Sequence, residues 1–195
     1  MARFPTTEEV DAATAALEPY FSALGRVAHS WNHLHEELGK LFCSVSSLEL
    51  HHGMTIWHKL KSDRSQRDIL RGAISARQQE EDWTKNRPNV AEAIIDLLND
   101  VNALAERRNN AIHAPCSVAI HGNSKDFEIV PVTFFGNDKA KRLFGKDILE
   151  EFRWYERSAN ALKMYTYSCR LAVDAQLISP EKPPLPTRGQ VDHPG

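Results

Sequence analysis

The sequence predicts a mainly all-α fold, a helical bundle that carries one small β-hairpin near residues 117–135. Apolar residues recur every three or four positions over several long segments, which is the spacing of a helix with one buried face. Before the last of these segments, residues 117–120 and 127–135 are rich in β-formers and flank a polar turn, so they predict two paired strands. Pro131 restricts the second strand to an edge or a bulge, because proline has no N–H to donate.

The predicted elements follow in order along the chain. Pro19 is expected to kink or restart the first helix, and Ser62-Asp63 to cap the N-terminus of a later one. Asn86-Arg87-Pro88 is expected to open the longest central helix, which Pro115 ends. Residues 179–195 contain five prolines and no periodic core, so we expect a disordered tail after a single domain of residues 1–178. The predicted helices span residues 7–18, 20–46, 56–60, 63–79, 89–114 and 139–177.

Composition limits the function classes. The 195 residues have 42% hydrophobic content, 26% charged content and a formal charge of −2, typical of a globular domain without a global field that attracts nucleic acid. Three widely spaced cysteines give no CxxC motif or even-numbered disulfide framework and favour a reducing compartment. The start of the chain does not resemble a signal peptide and no segment resembles a membrane span, so we expect a cytoplasmic protein.

The most informative segment is the end of the central helix, Arg108-Asn109-x-x-x-His113. It brings a cation, an amide and an imidazole within about one and a half helical turns. At about 100° per residue, Arg108 projects onto the apolar stripe of its own helix. A guanidinium there needs a carboxylate, a phosphate or a wet interface. The stripe contains Ile94, Leu97, Val101, Leu104 and Ile112.

Two interpretations of this segment stay open from the residues alone. Arg108 and His113 are candidate functional residues, since the arginine can bind a phosphate and the histidine can exchange a proton near neutral pH. Alternatively, Arg108 pairs with a buried carboxylate, and His113 is a helix-end residue favoured by the helix dipole. An Arg-x4-His pattern is weak by itself; the adjoining Asn109 and the helix-end position make it more specific.

The run Arg-Asn-Asn-Ala-Ile-His, residues 108–113, resembles the motif of the HEPN superfamily (higher eukaryotes and prokaryotes nucleotide-binding domains). In that family an arginine, a polar residue and a histidine lie near the end of a bundle helix. The resemblance implies a four- to five-helix HEPN-like bundle that forms a homodimer, with the motifs of two copies facing one cleft. The hairpin near 117–135 is not part of the minimal core of the family.

For active members, the resemblance also implies metal-independent endoribonuclease chemistry, with no cofactor and no metal. Arg108 and His113 would then be catalytic and Asn109 would assist, either by orienting the imidazole or by binding the substrate. RNA is the implied substrate, cleaved through its 2′-hydroxyl. A toxin or defence role is the leading hypothesis, with an antitoxin or regulatory protein as a possible partner and no membrane involvement.

A second candidate for RNA binding is the row Arg64, Arg67 and Arg71, spaced i, i+3 and i+7 on one predicted helix. Such a row can follow a phosphate backbone and supply a local positive patch. The alternative is a solvated face on which these arginines pair with Asp63 and Asp68.

His29 and His33 form an i, i+4 pair on a predicted helix, a spacing that suits a metal. The neighbouring sequence is not an HExxH motif, and paired helical histidines are more often surface or core residues, so no metal site is predicted. The four tryptophans, which lie in apolar stripes, are expected to anchor the core.

The sequence therefore leaves three candidate functions open. The first is a metal-independent endoribonuclease of HEPN type. The second is a non-catalytic HEPN module that binds a nucleotide or a partner protein. The third is a purely structural bundle in which Arg108 meets an internal carboxylate.

Overall fold

The computed structural model describes residues 6–87, 89–120, 127–132, 138–175 and 180–187. Over these residues the chain is mainly helical, with one small antiparallel sheet, which confirms the predicted fold class. The helices are α1 (Thr7–Ser46), α2 (Leu50–Lys59), α3 (Asp63–Arg77), α4 (Glu81–Asn86), α5 (Val90–Ile112), α6 (Asp138–Lys141) and α7 (Ile148–Ala175). The strands are β1 (Cys116–Ile120) and β2 (Phe127–Pro131).

The chain divides into two compact units. Among the described residues, unit 1 takes those within 6–28 and 105–156, together with Thr187. Unit 2 takes those within 29–104 and 157–186. The single domain expected over residues 1–178 stays a prediction.

Unit 2 has a core of large apolar side chains from α1, α2, α3, α5 and the later part of α7. Each helix contributes positions three or four residues apart, as their amphipathic patterns predict. Trp57 is fully buried, and its ring lies 5.9 Å from that of Phe42, centroid to centroid. The other fully or almost fully buried residues include Leu34, Leu38, Leu41, Leu70, Ile74, Ile94, Leu97, Leu98 and Leu162.

Unit 1 is built around the beginning of α1, the end of α5, the hairpin and the beginning of α7. Tyr20 and Phe152 are buried, with their ring centroids 5.4 Å apart. In the hairpin Cys116 pairs with Pro131, and the ladder extends through the bond from the Val132 N–H to the Pro115 carbonyl, 2.7 Å. Pro131 ends β2, which agrees with its predicted edge position; the predicted turn and residues 133–135 lie outside the described residues.

Several helix boundaries differ from the sequence prediction. The helix α2 begins at Leu50 instead of near residue 56, and α4 (Glu81–Asn86) was not predicted. Pro19 lies inside α1, which continues without a restart from Thr7 to Ser46. A proline removes only one intrahelical hydrogen bond, and burial of Tyr20, the next residue, and of Val27, two turns later, favours continuation of the helix. The helix expected over 139–177 is two helices, because Gly145 adopts a φ of 71° between them. Asp147 then caps α7 by accepting from the Glu150 N–H at 3.0 Å.

Part of the predicted tail is described. Residues 180–187 form neither helix nor strand, and Lys182 Nζ lies 2.6 Å from Asp100 Oδ2. The other residues of the 179–195 segment lie outside the description. Among the helices that are described, none combines the length and apolar character needed to span a membrane.

Candidate functional site

The Arg108–His113 motif lies at the C-terminal end of α5, in unit 1. Arg108 and Asn109 occupy its last turns, and His113 is the first residue after the helix ends at Ile112. The stripe upstream of the motif is buried as predicted, at Ile94, Leu97, Val101 and Leu104. Arg108 is half-buried, whereas Asn109 and His113 are exposed. The motif therefore begins where the buried stripe reaches solvent.

Asn109 is hydrogen-bonded within the motif at two points. Its side-chain Oδ1 accepts from Arg108 Nη1 at 2.9 Å, and its backbone carbonyl accepts from the His113 N–H at 3.2 Å. The Nε atom of Arg108 is buried. The amide oxygen of Asn109 thus orients the guanidinium, rather than the imidazole that the sequence suggested as one possibility.

The beginning of α7 fixes the end of α5. The Tyr155 hydroxyl lies 3.1 Å from the Arg107 carbonyl and 3.2 Å from Glu151 Oε2; with one proton, it donates to one of these acceptors at a time. The guanidinium of Arg107 lies over the buried ring of Trp154, 5.6 Å from its centroid. Arg107, the residue directly before Arg108, is therefore held at both its backbone and its side chain.

The chain is also held after His113, where β1 begins. Cys116 is hydrogen-bonded to Tyr20, and its thiol lies 3.8 Å from the Ala114 carbonyl. Burial and then the neighbouring thiol raise the pKa of Tyr20 to about 12. Burial raises the pKa of the Cys116 thiol, with the Tyr20 hydrogen bond opposing it. Both groups stay protonated at neutral pH, so Cys116 serves as an anchor and not as a nucleophile.

The motif presents complementary chemistry at one helix end. A half-buried guanidinium held by an amide can bind an oxyanion through two parallel N–H groups. An exposed imidazole close by in sequence can accept or donate a proton. The motif thus places an anion-binding group and a proton-exchanging group at one helix end.

The three arginines predicted to bind RNA do not form an exposed row. Arg64 is exposed and lies 3.9 Å from Asp68. Arg67 is buried, and its Nε donates to Asn102 Oδ1 at 2.6 Å. Arg71 is half-buried and donates to Asn99 Oδ1 at 2.9 Å. The prediction of a continuous RNA-binding surface is therefore corrected for Arg67, which shares the buried face of α3 with Leu70 and Ile74.

Sequence reasoning missed a buried polar network around Arg67 in unit 2. His35 is buried, with Nδ1 2.9 Å from Gln66 Oε1 and Nε2 3.4 Å from Arg67 Nη1. Because the amide of Gln66 donates to the Trp57 carbonyl at 3.1 Å, its Oε1 faces His35 as an acceptor. His35 then carries its proton on Nδ1 and accepts from Arg67 at Nε2. The sequence signal for this network was the spacing of Arg67 with Leu70 and Ile74, which places the arginine on the apolar face of α3.

The structure also shows which of the paired histidines and the tryptophans are exposed and which are buried. His29 and His33 are both exposed, with ring centroids 4.2 Å apart. Within the ranges that the structure describes, no group of three or more His, Cys, Asp or Glu side chains could hold a metal ion. The four tryptophans are buried, as expected of core anchors: Trp31, Trp57, Trp83 and Trp154.

The comparisons with known proteins add no relative. No protein-family model, curated protein or solved structure matches the chain. The functional argument therefore stands on the motif and its geometry.

Proposed function

We propose that the protein is a metal-independent endoribonuclease of HEPN type, with Arg108 and His113 as catalytic residues and Asn109 as the residue that positions Arg108. The observation that carries the proposal is the arrangement at the end of α5. There the guanidinium of Arg108 is oriented by Asn109 Oδ1 at 2.9 Å, and His113 is exposed one residue beyond the helix. The resemblance of residues 108–113 to the HEPN motif supplies the reaction class.

The proposed reaction is a transesterification within RNA. His113 accepts the proton of a 2′-hydroxyl, whose oxygen attacks the adjacent phosphorus while the bond to the 5′-oxygen breaks. The products are a 2′,3′-cyclic phosphate and a 5′-hydroxyl, the second of which receives a proton from a general acid. In a homodimer, His113 of the second copy can be that acid. Arg108 stabilises the charge that develops on the phosphoryl oxygens.

The biological setting is part of the same proposal. A cytoplasmic location fits the free thiols of Cys43, Cys116 and Cys169, because a reducing compartment keeps thiols unpaired. A toxin or defence enzyme requires control of its activity, so we propose an antitoxin or regulatory protein as partner. Growth arrest on expression of the wild type, relieved by His113→Ala, is the expected cellular result.

The test is cleavage of a mixed RNA substrate in excess chelator by the wild type, Arg108→Ala and His113→Ala. The wild type should produce 2′,3′-cyclic phosphate ends, and each substitution should reduce the rate by at least about 100-fold, the usual contribution of a general base or an oxyanion-binding group. The matched controls are Arg153→Ala and His33→Ala, which change exposed residues of the same types and should leave cleavage intact.

The outcomes separate the candidate functions. Cleavage that both motif variants retain would contradict the proposal, as would no cleavage by the wild type on any RNA tried. RNA or nucleotide binding that depends on Arg108 but yields no product would support the non-catalytic binding module instead.

A further inference from the structure

Unit 2 contains a second candidate site, an open cleft of about 1010 Å³. It is lined by residues of α1, α2, α3, α4 and α7 and of the segments that follow α1, α3 and α4. Its volume is at the upper end of the usual range for small-molecule sites, about 300–1,000 Å³. Four cations line this cleft: Lys40, Arg77, Arg87 and Arg170.

Three of these cations form ion pairs with carboxylates. Lys40 Nζ lies 3.1 Å from Glu37 Oε2, and Arg170 Nε lies 2.9 Å from the other oxygen of the same carboxylate. Arg77 Nη1 lies 2.7 Å from Glu80 Oε2. Arg87 differs from them, since it makes no ion pair with any residue that the structure describes.

Arg87 is nevertheless held at three points. Its backbone N–H donates to the Trp83 carbonyl at 3.0 Å, and its Nε donates to the Val173 carbonyl at 2.8 Å. Its guanidinium lies over the buried ring of Trp83, 5.8 Å from the centroid. The contacts use Nε and one face of the guanidinium, and neither Nη group has a hydrogen-bond partner among the described residues.

A half-buried arginine that is held through Nε and one face of its guanidinium can bind an oxyanion with its two Nη groups. Its planar guanidinium matches two oxygens of a phosphate or carboxylate, and its orientation is fixed before the ligand arrives, which lowers the entropy lost on binding. Two carboxylates of the cleft oppose an anion nearby. Among the described residues, Asp82 makes no ion pair, and Glu49 forms an ion pair only with His52, at 3.5 Å, when that histidine is protonated.

We propose that this cleft binds a small ligand through a phosphate or carboxylate group that docks on the Nη atoms of Arg87. The site is independent of Arg108 and His113, and it does not require the proposed RNA cleavage. Phosphate and carboxylate share the chemistry that Arg87 recognises, so the experiment uses one probe of each kind.

The test is titration of the full-length protein with inorganic phosphate and, separately, with acetate, at constant ionic strength balanced with chloride. The readout is the side-chain N–H signal of Arg87 in nitrogen-15 NMR spectra. We expect at least one anion to shift this signal saturably, with a dissociation constant in the millimolar range.

Arg87→Gln should weaken binding at least about tenfold, which is the loss expected for a charge-assisted hydrogen bond. Because this variant lacks the Arg87 signal, its binding is followed through the backbone signals of the cleft. Arg64→Gln, an exposed arginine of the same unit, is the matched control.

A second variant keeps Arg87 in place and guards against misfolding of Arg87→Gln. Asp82→Asn removes one opposing charge and should tighten binding of the same anion about two- to fivefold. Four results would overturn the proposal: no saturable shift with either anion, binding unchanged in Arg87→Gln, binding lost in Arg64→Gln, or affinity that does not rise in Asp82→Asn. Saturation by phosphate alone or by acetate alone identifies the group that the cleft prefers.

Discussion

The hydroxyl of Tyr155 lies 3.1 Å from the backbone carbonyl of Arg107, the residue directly before the candidate catalytic arginine. This hydrogen bond links α7 to the last turns of α5 within unit 1. Tyr155 is 2% exposed, so the tyrosine side of this contact is shielded from water. The position of Arg108 thus depends on a residue 47 places later in the chain, which no local sequence pattern indicates.

The first prediction concerns Tyr155→Phe, which removes this hydroxyl and its contact with Glu151. We expect the free energy of unfolding to fall by about 1–2 kcal/mol, the usual effect of losing a buried hydrogen bond. If the proposed RNA cleavage is correct, kcat should fall about three- to tenfold with little change in KM, because the end of α5 is less well positioned. Urea unfolding and cleavage kinetics measure both effects.

Tyr167→Phe, which removes the hydroxyl of an exposed tyrosine in α7, is the control for Tyr155→Phe. Equal losses of stability and kcat in the two variants would contradict the positioning role of Tyr155.

The second prediction separates structural from RNA-binding arginines. Arg67→Gln should lower the free energy of unfolding by about 2–4 kcal/mol, since it leaves His35 and Asn102 without their donor in a buried network. Arg64→Gln should change it by less than about 0.5 kcal/mol because Arg64 is exposed. Chemical denaturation of both variants checks this. Wild-type stability in Arg67→Gln would show that the network contributes little.

The third prediction uses two helical glycines. A Cβ at the buried Gly53 would overlap Cys43 Sγ, whereas a Cβ at Gly72 meets no atom within 4 Å. Gly53→Ala should therefore destabilise the protein by about 1–3 kcal/mol, and Gly72→Ala should stabilise it by about 0.5–1 kcal/mol through helix propensity.

The overlap has its own control, the double variant Gly53→Ala with Cys43→Ala. Removing the sulfur relieves the overlap, so the double variant should be less destabilised than the sum of the two single variants. Thermal or urea unfolding of the four proteins gives the coupling. Strict additivity would show that the two positions do not clash.

The fourth prediction concerns alkaline pH. Burial raises the pKa of the Cys169 thiol from 9.0 to about 12. Burial, followed by Cys169, Asp96 and Asp100, raises the pKa of Tyr165 from 10.0 to about 12. The unfolded chain releases these protons at lower pH than the folded chain, so unfolding becomes more favourable as pH rises. The stabilisation is complete below about pH 9 and is lost progressively toward about pH 12.

Cys169→Ala tests this directly. The variant lacks the thiol, so its free energy of unfolding should decline less than that of the wild type between about pH 9 and about pH 10.5. Urea unfolding at intervals across that range measures the difference. Parallel declines in the two proteins would assign the alkaline sensitivity to other groups.

Much of the local structure follows from short-range pattern. Ser62 was predicted as an N-cap, and its Oγ accepts from the Ser65 N–H at 3.1 Å. The hairpin and the termination of α5 before Pro115 were predicted in the same way. Proline, cap residues and apolar spacing act over a few residues, so their effects can be predicted without knowledge of the rest of the chain.

The errors arose where a local signal competes with packing. Pro19 favours a break, yet burial of Tyr20 and Val27 maintains α1 across it. The charge and spacing of Arg67 predict either an RNA-binding row or a solvated face, yet its partners His35 and Asn102 come from two other helices. A buried guanidinium is stable only when such distant partners exist, and their positions are a property of the folded chain.

The sequence by itself determined the helical fold class, the hairpin, and the Arg108, Asn109 and His113 motif at a helix end, because these depend on spacing and turn chemistry along the chain. Only the tertiary structure decided that Tyr155 fixes the residue before Arg108 and that Arg67 is buried. It also decided that, among the residues that the structure describes, Arg87 is the cation of the unit 2 cleft that forms no ion pair. The physical reason is that desolvation and ion pairing depend on which side chains meet in space, and residues far apart in sequence supply those partners.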